Sequence, residues 1–123
     1  MKKCLIKIKN HYSVDGIKEN LNESKFKGCK ISESRALGIK CVETIFEDTT
    51  FDHFESKYAN FSLAKLKNVS FKNCNIEEGA LEDMKLEKTT FTDTSFKKSE
   101  LMNTRFRGVD LRTVKLDGVK ITA

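Results

Sequence analysis

The stretch "FKKSELMNTRFRGVDLRTVKLDGVKI", residues 96–121, decides the fold because large apolar side chains recur in it at every fifth position. On an α-helix, residues five apart move around the axis and never form one face. On a flat strand, they alternate between the two faces of the sheet. The spacing instead predicts a chain that turns a corner every five residues, so that four short sides make a square coil.

The same five-residue frame continues upstream to residue 26. At positions 26, 31, 36 and onward to 121, only Ser56 is polar. Two residues earlier in each unit, from Ser24 to Val119, the side chains are mostly small or β-branched, and neither series contains a charged residue. Because 33% of the chain is charged, composition alone does not explain this gap. The frame therefore predicts two inward-facing columns of side chains on every side of the coil.

Each unit consists of a small residue, a polar residue, a Leu or Phe, and two variable residues. The nearest matches are "ANFSL" (59–63), "SELMN" (99–103) and "VDLRT" (109–113). This pattern resembles the pentapeptide-repeat family over residues 24–123. The resemblance implies an all-β fold, a right-handed quadrilateral β-helix (a pentapeptide-repeat solenoid) of about five coils with four units in each. With coils about 4.8 Å apart, the rod would be about 24 Å long.

Two segments depart from the pattern. Residues 1–23 are out of frame, and we expect them to form an N-terminal cap segment in front of a β-helix at 24–123. Within the cap, residues 4–8 ("CLIKI") alternate and predict a strand that covers the first coil. The unit "FESKY" (54–58) has its large and small positions reversed, which predicts a local bulge or loop there.

The sequence offers no site for enzymatic chemistry, so we expect a protein that is not an enzyme and has no cofactor or metal. His11 and His53 have no carboxylate or cysteine at a spacing typical of a triad or a metal site. Cys29, Cys41 and Cys74 fall in the inward columns, as small buried residues do. Glycine-rich phosphate loops are absent as well.

The N-terminal sequence "MKKCLIKIKN" does not read as a signal peptide or a membrane span, because Lys7 and Lys9 interrupt its apolar run. Nothing later in the chain is apolar enough to span a membrane. We therefore expect a cytoplasmic protein whose four cysteines stay reduced.

The charges concentrate on one side of the predicted coil. Every fourth unit stacks on the same face, and the charges of the units that begin at 24, 44, 64, 84 and 104 sum to +5, which equals the net charge of the chain. The candidate partner-binding residues are Lys25, Lys27, Lys65, Lys67, Lys85, Lys88, Arg105 and Arg107. Glu47 and Asp48 interrupt this stripe, and Glu87 reduces its charge. The stripe is either a solvated face or a surface that binds something acidic.

The resemblance implies a rigid surface for a partner, because the best-understood family members act in this way. We expect a non-catalytic bacterial protein that neutralises or regulates a protein with an acidic patch, most concretely a toxin-immunity protein. A resistance protein that binds DNA gyrase or topoisomerase is the first alternative, although such family members resemble acidic DNA and this chain is basic. A non-specific nucleic-acid binder that uses the basic face is the second, and inward phenylalanines unavailable for base stacking disfavour it.

Self-association is a separate expectation. The frame runs to the last residues without a cap, which would leave strand edges and apolar residues in water. Family members commonly dimerise through a terminal coil. We therefore predict a homodimer formed through the C-terminal coil.

Overall fold

The chain is built of short parallel strands. The computed structural model describes the backbone of residues 4–6 and all of residues 21–120. In these ranges there are thirteen strands and no helix. The strands are β1 (Cys4–Ile6), β2 (Lys25–Lys27), β3 (Cys29–Arg35), β4 (Ile45–Glu47), β5 (Thr50–Lys57), β6 (Lys65–Lys67), β7 (Ser70–Lys72), β8 (Asn75–Glu77), β9 (Lys85–Glu87), β10 (Thr90–Thr92), β11 (Thr94–Ser95), β12 (Arg105–Arg107) and β13 (Val114–Lys115).

A left-handed backbone conformation at every fifth residue produces the corners. From Glu23 to Gly118 these residues have φ between 47° and 71°. Only Thr113 departs from the series within the described residues, and β-branched residues are the ones that tolerate positive φ least. Many of the others are Gly, Asn or Asp, which adopt it most readily. The five-residue period of the sequence is therefore the spacing between these corners.

Neighbouring coils stack with a constant offset of 20 residues. Lys25 pairs with Ile45, and Lys30 pairs with Thr50. One side of the coil is a five-stranded sheet in the order β12-β9-β6-β4-β2. An eight-stranded sheet covers two further sides, because β3 and β5 continue around a corner, and single bridges such as Lys40 to Asn60 join the fourth side. The predicted parallel β-solenoid of about five turns is confirmed, whereas its handedness stays a prediction.

Strand β1 covers one side of the first coil. It runs parallel to β3, with Cys4 opposite Cys29, which confirms the capping strand over residues 4–6; residues 7–8 lie outside the described residues. The backbone N–H of Leu21 donates to the carbonyl of Lys40, and that of Glu23 donates to the carbonyl of Val42. The coil thus already includes residues 21–23, and the boundary between cap and β-helix stays a prediction.

Apolar side chains fill the interior in stacked columns. Every described position of the two inward series is buried or partly buried. The rings of Phe51 and Phe71 stack with centroids 4.7 Å apart, and those of Phe71 and Phe91 stack at 5.3 Å. Rings from neighbouring sides meet edge to face, as with Phe91 and Phe96 at 5.2 Å. These contacts join the sides of the coil into one continuous core.

The bulge expected at residues 54–58 is wrong. Strand β5 is continuous, and its register with β3 and β8 does not change. Phe54 and Ser56 are both buried, because the large side chain occupies the space of the small one and the small side chain occupies that of the large one. The rings of Phe54 and Phe51 pack edge to face with their centroids 5.4 Å apart. The Ser56 hydroxyl donates a hydrogen bond to the carbonyl of Ala36. A swap of large and small side chains is therefore accommodated without moving the backbone.

Inward hydroxyl groups connect successive coils. The Thr44 hydroxyl donates to the carbonyl of Leu21 at 2.7 Å, and the Thr104 hydroxyl donates to that of Leu81 at 2.6 Å. In the described residues no buried side-chain nitrogen or oxygen lacks a partner. The small inward column therefore favours Ser and Thr for hydrogen bonding as well as for size, because an unpaired buried carbonyl is costly.

Ser99 provides a test of this role. Its hydroxyl donates to the carbonyl of Ile76 at 3.2 Å and accepts from the backbone N–H of Gly79 at 3.0 Å. We expect Ser99→Ala to lower the free energy of unfolding by about 2 kcal/mol, because both backbone groups lose their partner. Urea unfolding followed by circular dichroism measures the change. The outward Ser70→Ala is the control and should change it by less than about 0.5 kcal/mol; equal losses in both variants would show that the inward hydroxyls act only as spacers.

Candidate functional site

All eight candidate residues lie on one side of the rod, and all are exposed. We call the five-stranded sheet of β2, β4, β6, β9 and β12, together with the corner that follows each of these strands, the basic face. Its cations are Lys25, Lys27, Lys65, Lys67, Lys85, Lys88, Arg105 and Arg107. Lys88 stands at a corner, and the others point outward from β2, β6, β9 and β12. Their role in binding stays a prediction.

The first two coils of the basic face hold little uncompensated charge. Lys25 Nζ lies 3.9 Å from Glu47 Oε1 on the next strand. Ile45 separates Lys25 from the cations of later coils in the same column. Asp48 stands at the following corner and accepts a hydrogen bond from Asn68 Nδ2 at 2.7 Å. The part of the stripe most available to an acidic partner is therefore in the last three coils.

In those coils three cations stand directly above one another. Lys65 pairs with Lys85, and Lys85 pairs with Arg105, on adjacent parallel strands. We call Lys65, Lys85 and Arg105 the cation ladder. Among the ion pairs of the described residues, none involves a member of the ladder. Like charges directly opposite each other in a sheet are destabilising, so this arrangement costs stability in the free protein.

A second outward column runs beside the ladder and alternates in charge. It contains Lys67, Glu87 and Arg107 in register. Glu87 is only partly exposed and lies between two exposed cations. The basic face therefore has a definite charge pattern, cationic along one column and alternating along the other, and this pattern constrains which acidic surface fits it.

Acidic side chains gather on the side next to the basic face. The protonated carboxyl of Glu82 donates a hydrogen bond to the carboxylate of Glu100, and this bond raises the pKa of Glu82. Partial burial and the charges of Glu100 and Asp83 raise it further. The carboxyl groups of Glu82 and Glu100 come from consecutive coils. Among the described residues, no ion pair neutralises either of them. The rod thus presents a basic side and an acidic side that meet at one corner.

The remaining candidate groups are the cysteines and histidines, and the described ones lie in surroundings typical of structural residues. Burial raises the pKa of the Cys74 thiol to about 11 and raises that of Cys41 further. His53 stands at an exposed corner with Nδ1 2.8 Å from Asp52 Oδ1, and His11 lies outside the described residues. Across residues 4–6 and 21–120, no group of three His, Cys, Asp or Glu side chains is placed to hold a metal ion. No helix in this part of the chain has the length and apolarity needed to cross a membrane.

Sequence reasoning missed two exposed apolar residues. Tyr58 is 52% exposed and Leu63 is 47% exposed. Both occupy corners with φ of 63°, where most other residues are polar or Gly. Lys57 Nζ lies 5.2 Å from the centre of the Tyr58 ring. The sequence signal for both was a large apolar residue at a corner position. Such a residue is unexpected there, because it gains no burial and must adopt a strained left-handed backbone conformation.

The ladder predicts opposite effects for the same substitution on two sides of the rod. Lys85 lies between two cations, whereas Lys97 stacks between the units of Glu77 and Asp117. At low salt, we expect Lys85→Glu to raise the free energy of unfolding by about 0.5 kcal/mol and Lys97→Glu to lower it by about as much. Urea unfolding measures both, and high salt should reduce both changes. A loss of stability in Lys85→Glu would contradict the uncompensated ladder.

The raised pKa of Glu82 predicts a pH-dependent stability. A group whose folded-state pKa is raised contributes stability below its ordinary pKa of 4.5, and this contribution is lost as the pH rises through the folded value. We therefore expect Glu82→Gln to be more stable than the native protein at pH 7 and equal to it below about pH 4. A Glu82→Gln variant with no gain at pH 7 would contradict the carboxyl pair.

The comparison with known proteins finds pentapeptide repeats. Residues 80–120 match the family model described as pentapeptide repeats in eight copies. No curated protein matches the chain. Solved structures with similar folds include the pentapeptide repeat protein Rfr23 from the cyanobacterium Cyanothece 51142, with 14% identity, coverage of 97% of this chain and 84% of that one, and a TM-score of 0.42.

Two further structures are similar over most of the chain. QnrB1, a plasmid-mediated fluoroquinolone resistance protein, has 14% identity, coverage of 98% and 92%, and a TM-score of 0.27. HetL, a pentapeptide repeat protein involved in heterocyst differentiation regulation in Nostoc sp. strain PCC 7120, has 13% identity, coverage of 81% and 62%, and a TM-score of 0.31. At these scores the likeness carries no conclusion about what this chain binds.

The family match over residues 80–120 and the five-residue corners seen from Glu23 to Gly118 describe the same repeat. The units outside the matched range stack on those inside it with the same offset of 20 residues. Residues 80–120 belong to the pentapeptide-repeat family, and the rest of the described coil continues their five-residue repeat.

Proposed function

We propose that this protein is a non-catalytic, cytoplasmic docking module whose basic face binds an acidic surface of a partner protein. The observation that carries the proposal is the cation ladder, three exposed like charges in register without an ion pair among the described residues. A free protein gains nothing from this arrangement, whereas a partner that supplies carboxylates turns the repulsion into attraction.

The build of the rod supports a docking role. Short strands and tight corners leave no long loops between residues 21 and 120. Exposed side chains on such a framework stand at fixed separations, and a surface that is already ordered loses little entropy when it binds. A toxin neutralised by the protein is the most concrete partner, and the immunity role rests on family analogy alone. The gyrase-binding role is the alternative, and the positive basic face is opposite in sign to a DNA-like surface.

Self-association through the C-terminal coil is a second part of the proposal. In the last coil the inward residues Phe106, Leu111 and Leu116 are only partly buried, whereas Leu86 and Phe91 in the coil before are buried. A second copy placed against this coil would cover them. Light scattering tests this part: a dimer at high concentration supports it, and a strict monomer contradicts it.

The docking function is tested by a pull-down from a bacterial lysate at low and high salt. The test variant carries Lys65→Glu, Lys67→Glu, Arg105→Glu and Arg107→Glu on the basic face. The control variant makes the same change of charge elsewhere, at the exposed positions Lys40, Lys72, Lys98 and Lys115. Circular dichroism establishes that both variants are folded before the comparison is made.

We expect one protein to be retained by the native chain and by the control, and lost from the test variant. That outcome assigns the docking surface to the basic face, and mass spectrometry of the retained protein decides between a toxin and gyrase. Retention by both variants, or retention of nucleic acid in place of protein, would contradict the proposal.

A further inference from the structure

The cation ladder has a defined length. Lys65, Lys85 and Arg105 are direct partners on neighbouring strands, and neighbouring strands are about 4.8 Å apart. The backbone positions of Lys85 and Arg105 therefore lie about 4.8 Å and about 9.6 Å from that of Lys65, parallel to the rod axis. A partner that neutralises all three must present carboxylates at a similar spacing along a straight line.

An α-helix provides this spacing better than an extended strand does. With a rise of about 1.5 Å per residue, side chains at i, i+3 and i+7 share one helix face at about 0, 4.5 and 10.5 Å. Side chains on one face of a strand repeat every 6.7 Å or so, which places the third at about 13 Å. The helix agrees with the ladder to about 1 Å, well within the reach of Lys and Arg side chains.

The apolar side chain of Leu63 borders the cation ladder in the same coil as Lys65. Leu63 precedes Lys65 by two residues and stands at the corner just before the basic face. The other described residues of its corner column are polar: Glu23, Glu43, Asp83 and Asn103. Leu63 accepts a left-handed backbone and leaves 47% of its surface exposed. The residues that line an open groove along this corner include Leu63, Asp83, Lys85 and Arg105.

The surroundings of the ladder favour a protein over a nucleic acid. Asp83 and Glu87 flank Lys85 along the chain on its two sides, so the positive charge is confined to one narrow column. That column fits a single row of carboxylates better than the broad negative surface of a nucleic acid. Leu63 has no favourable contact to make with phosphate. An amphipathic helix, by contrast, carries both an acidic row and an apolar flank.

We propose that the partner docks through an acidic amphipathic α-helix that lies along the rod axis on the last three coils of the basic face. Carboxylates at i, i+3 and i+7 of the helix pair with Lys65, Lys85 and Arg105, and an apolar residue on its flank packs on Leu63. This inference rests on the docking function proposed above and names the structural element that binds.

Fluorescence anisotropy with labelled synthetic peptides tests the inference. The probe is a lactam-bridged helical peptide with Glu at i, i+3 and i+7 and Leu along one flank of that row. The matched peptide has the same composition and bridge, with its Glu and Leu residues dispersed around the helix. The full-length protein is titrated into each, and a single-stranded oligonucleotide serves as a third probe.

We expect the native protein to bind the row peptide at least about tenfold more tightly than the dispersed peptide, a ratio that corresponds to about 1.4 kcal/mol. Lys85→Gln and Leu63→Ser should each weaken binding of the row peptide several-fold, and the control Lys97→Gln should leave it unchanged. Lys97 is exposed on another side of the rod, so this control separates local pairing from net charge.

Three results would overturn the inference: equal binding of both peptides, binding of neither, or tighter binding of the oligonucleotide than of the row peptide. If the peptides fail while the lysate partner is still lost from the charge-reversed variant, only the helical element is wrong and docking by the basic face stands. If that partner is not lost either, the docking function fails as well.

Discussion

The left-handed corner at every fifth residue is the constraint on which the rest of the structure depends. It divides the chain into sides of equal length, so that four sides close a coil and residue i meets residue i+20. Because the offset never changes between residue 25 and residue 120, inward columns, stacked rings and outward charges are all set by position in the frame. The core then stabilises corners that are costly in isolation for residues such as Leu63.

The sequence was sufficient to predict the five-residue frame and the assignment of residues to the faces of the coil. Both follow from counting positions along the chain. The apolar residues at every fifth position from Phe96 to Ile121 indicate the period, and the charge stripe follows once four units make a coil. The reversed unit was misinterpreted because volume compensation is not local: whether Phe54 fits depends on Phe51 beside it and on Ala36 one coil below Ser56. A rule that treats each unit alone cannot contain that information.

The role of the inward hydroxyls was also beyond the sequence reasoning. Ser and Thr in the small column were taken as a matter of size, whereas Thr44 and Ser99 donate to carbonyls of the coil below. The sequence reasoning also did not separate the paired cations of the basic face from the unpaired ones. Glu47 approaches Lys25, while the ladder of Lys65 and Lys85 stands without an ion pair among the described residues. Only coordinates distinguish a compensated cation from an uncompensated one.

Stability and binding oppose each other on the basic face. Repulsion along the ladder costs the free protein stability, and the same charges give a docking surface its attraction for carboxylates. The stacked core of the coil offsets this cost, because it is built from positions that do not contribute to the outer surface. The framework and the docking surface are thus separate sets of residues in one repeat.

The most direct test of this account is the deletion of one whole coil compared with a deletion that breaks the frame. Removing residues 61–80 joins two units in register, and we predict a shorter rod with cooperative urea unfolding and a strand-rich circular dichroism spectrum. Removing only residues 61–78 moves Glu82 and Glu87 into the inward columns, and we predict an unfolded chain because buried charges without partners are not tolerated. Equal stability of the two deletions would contradict the 20-residue register and everything built on it.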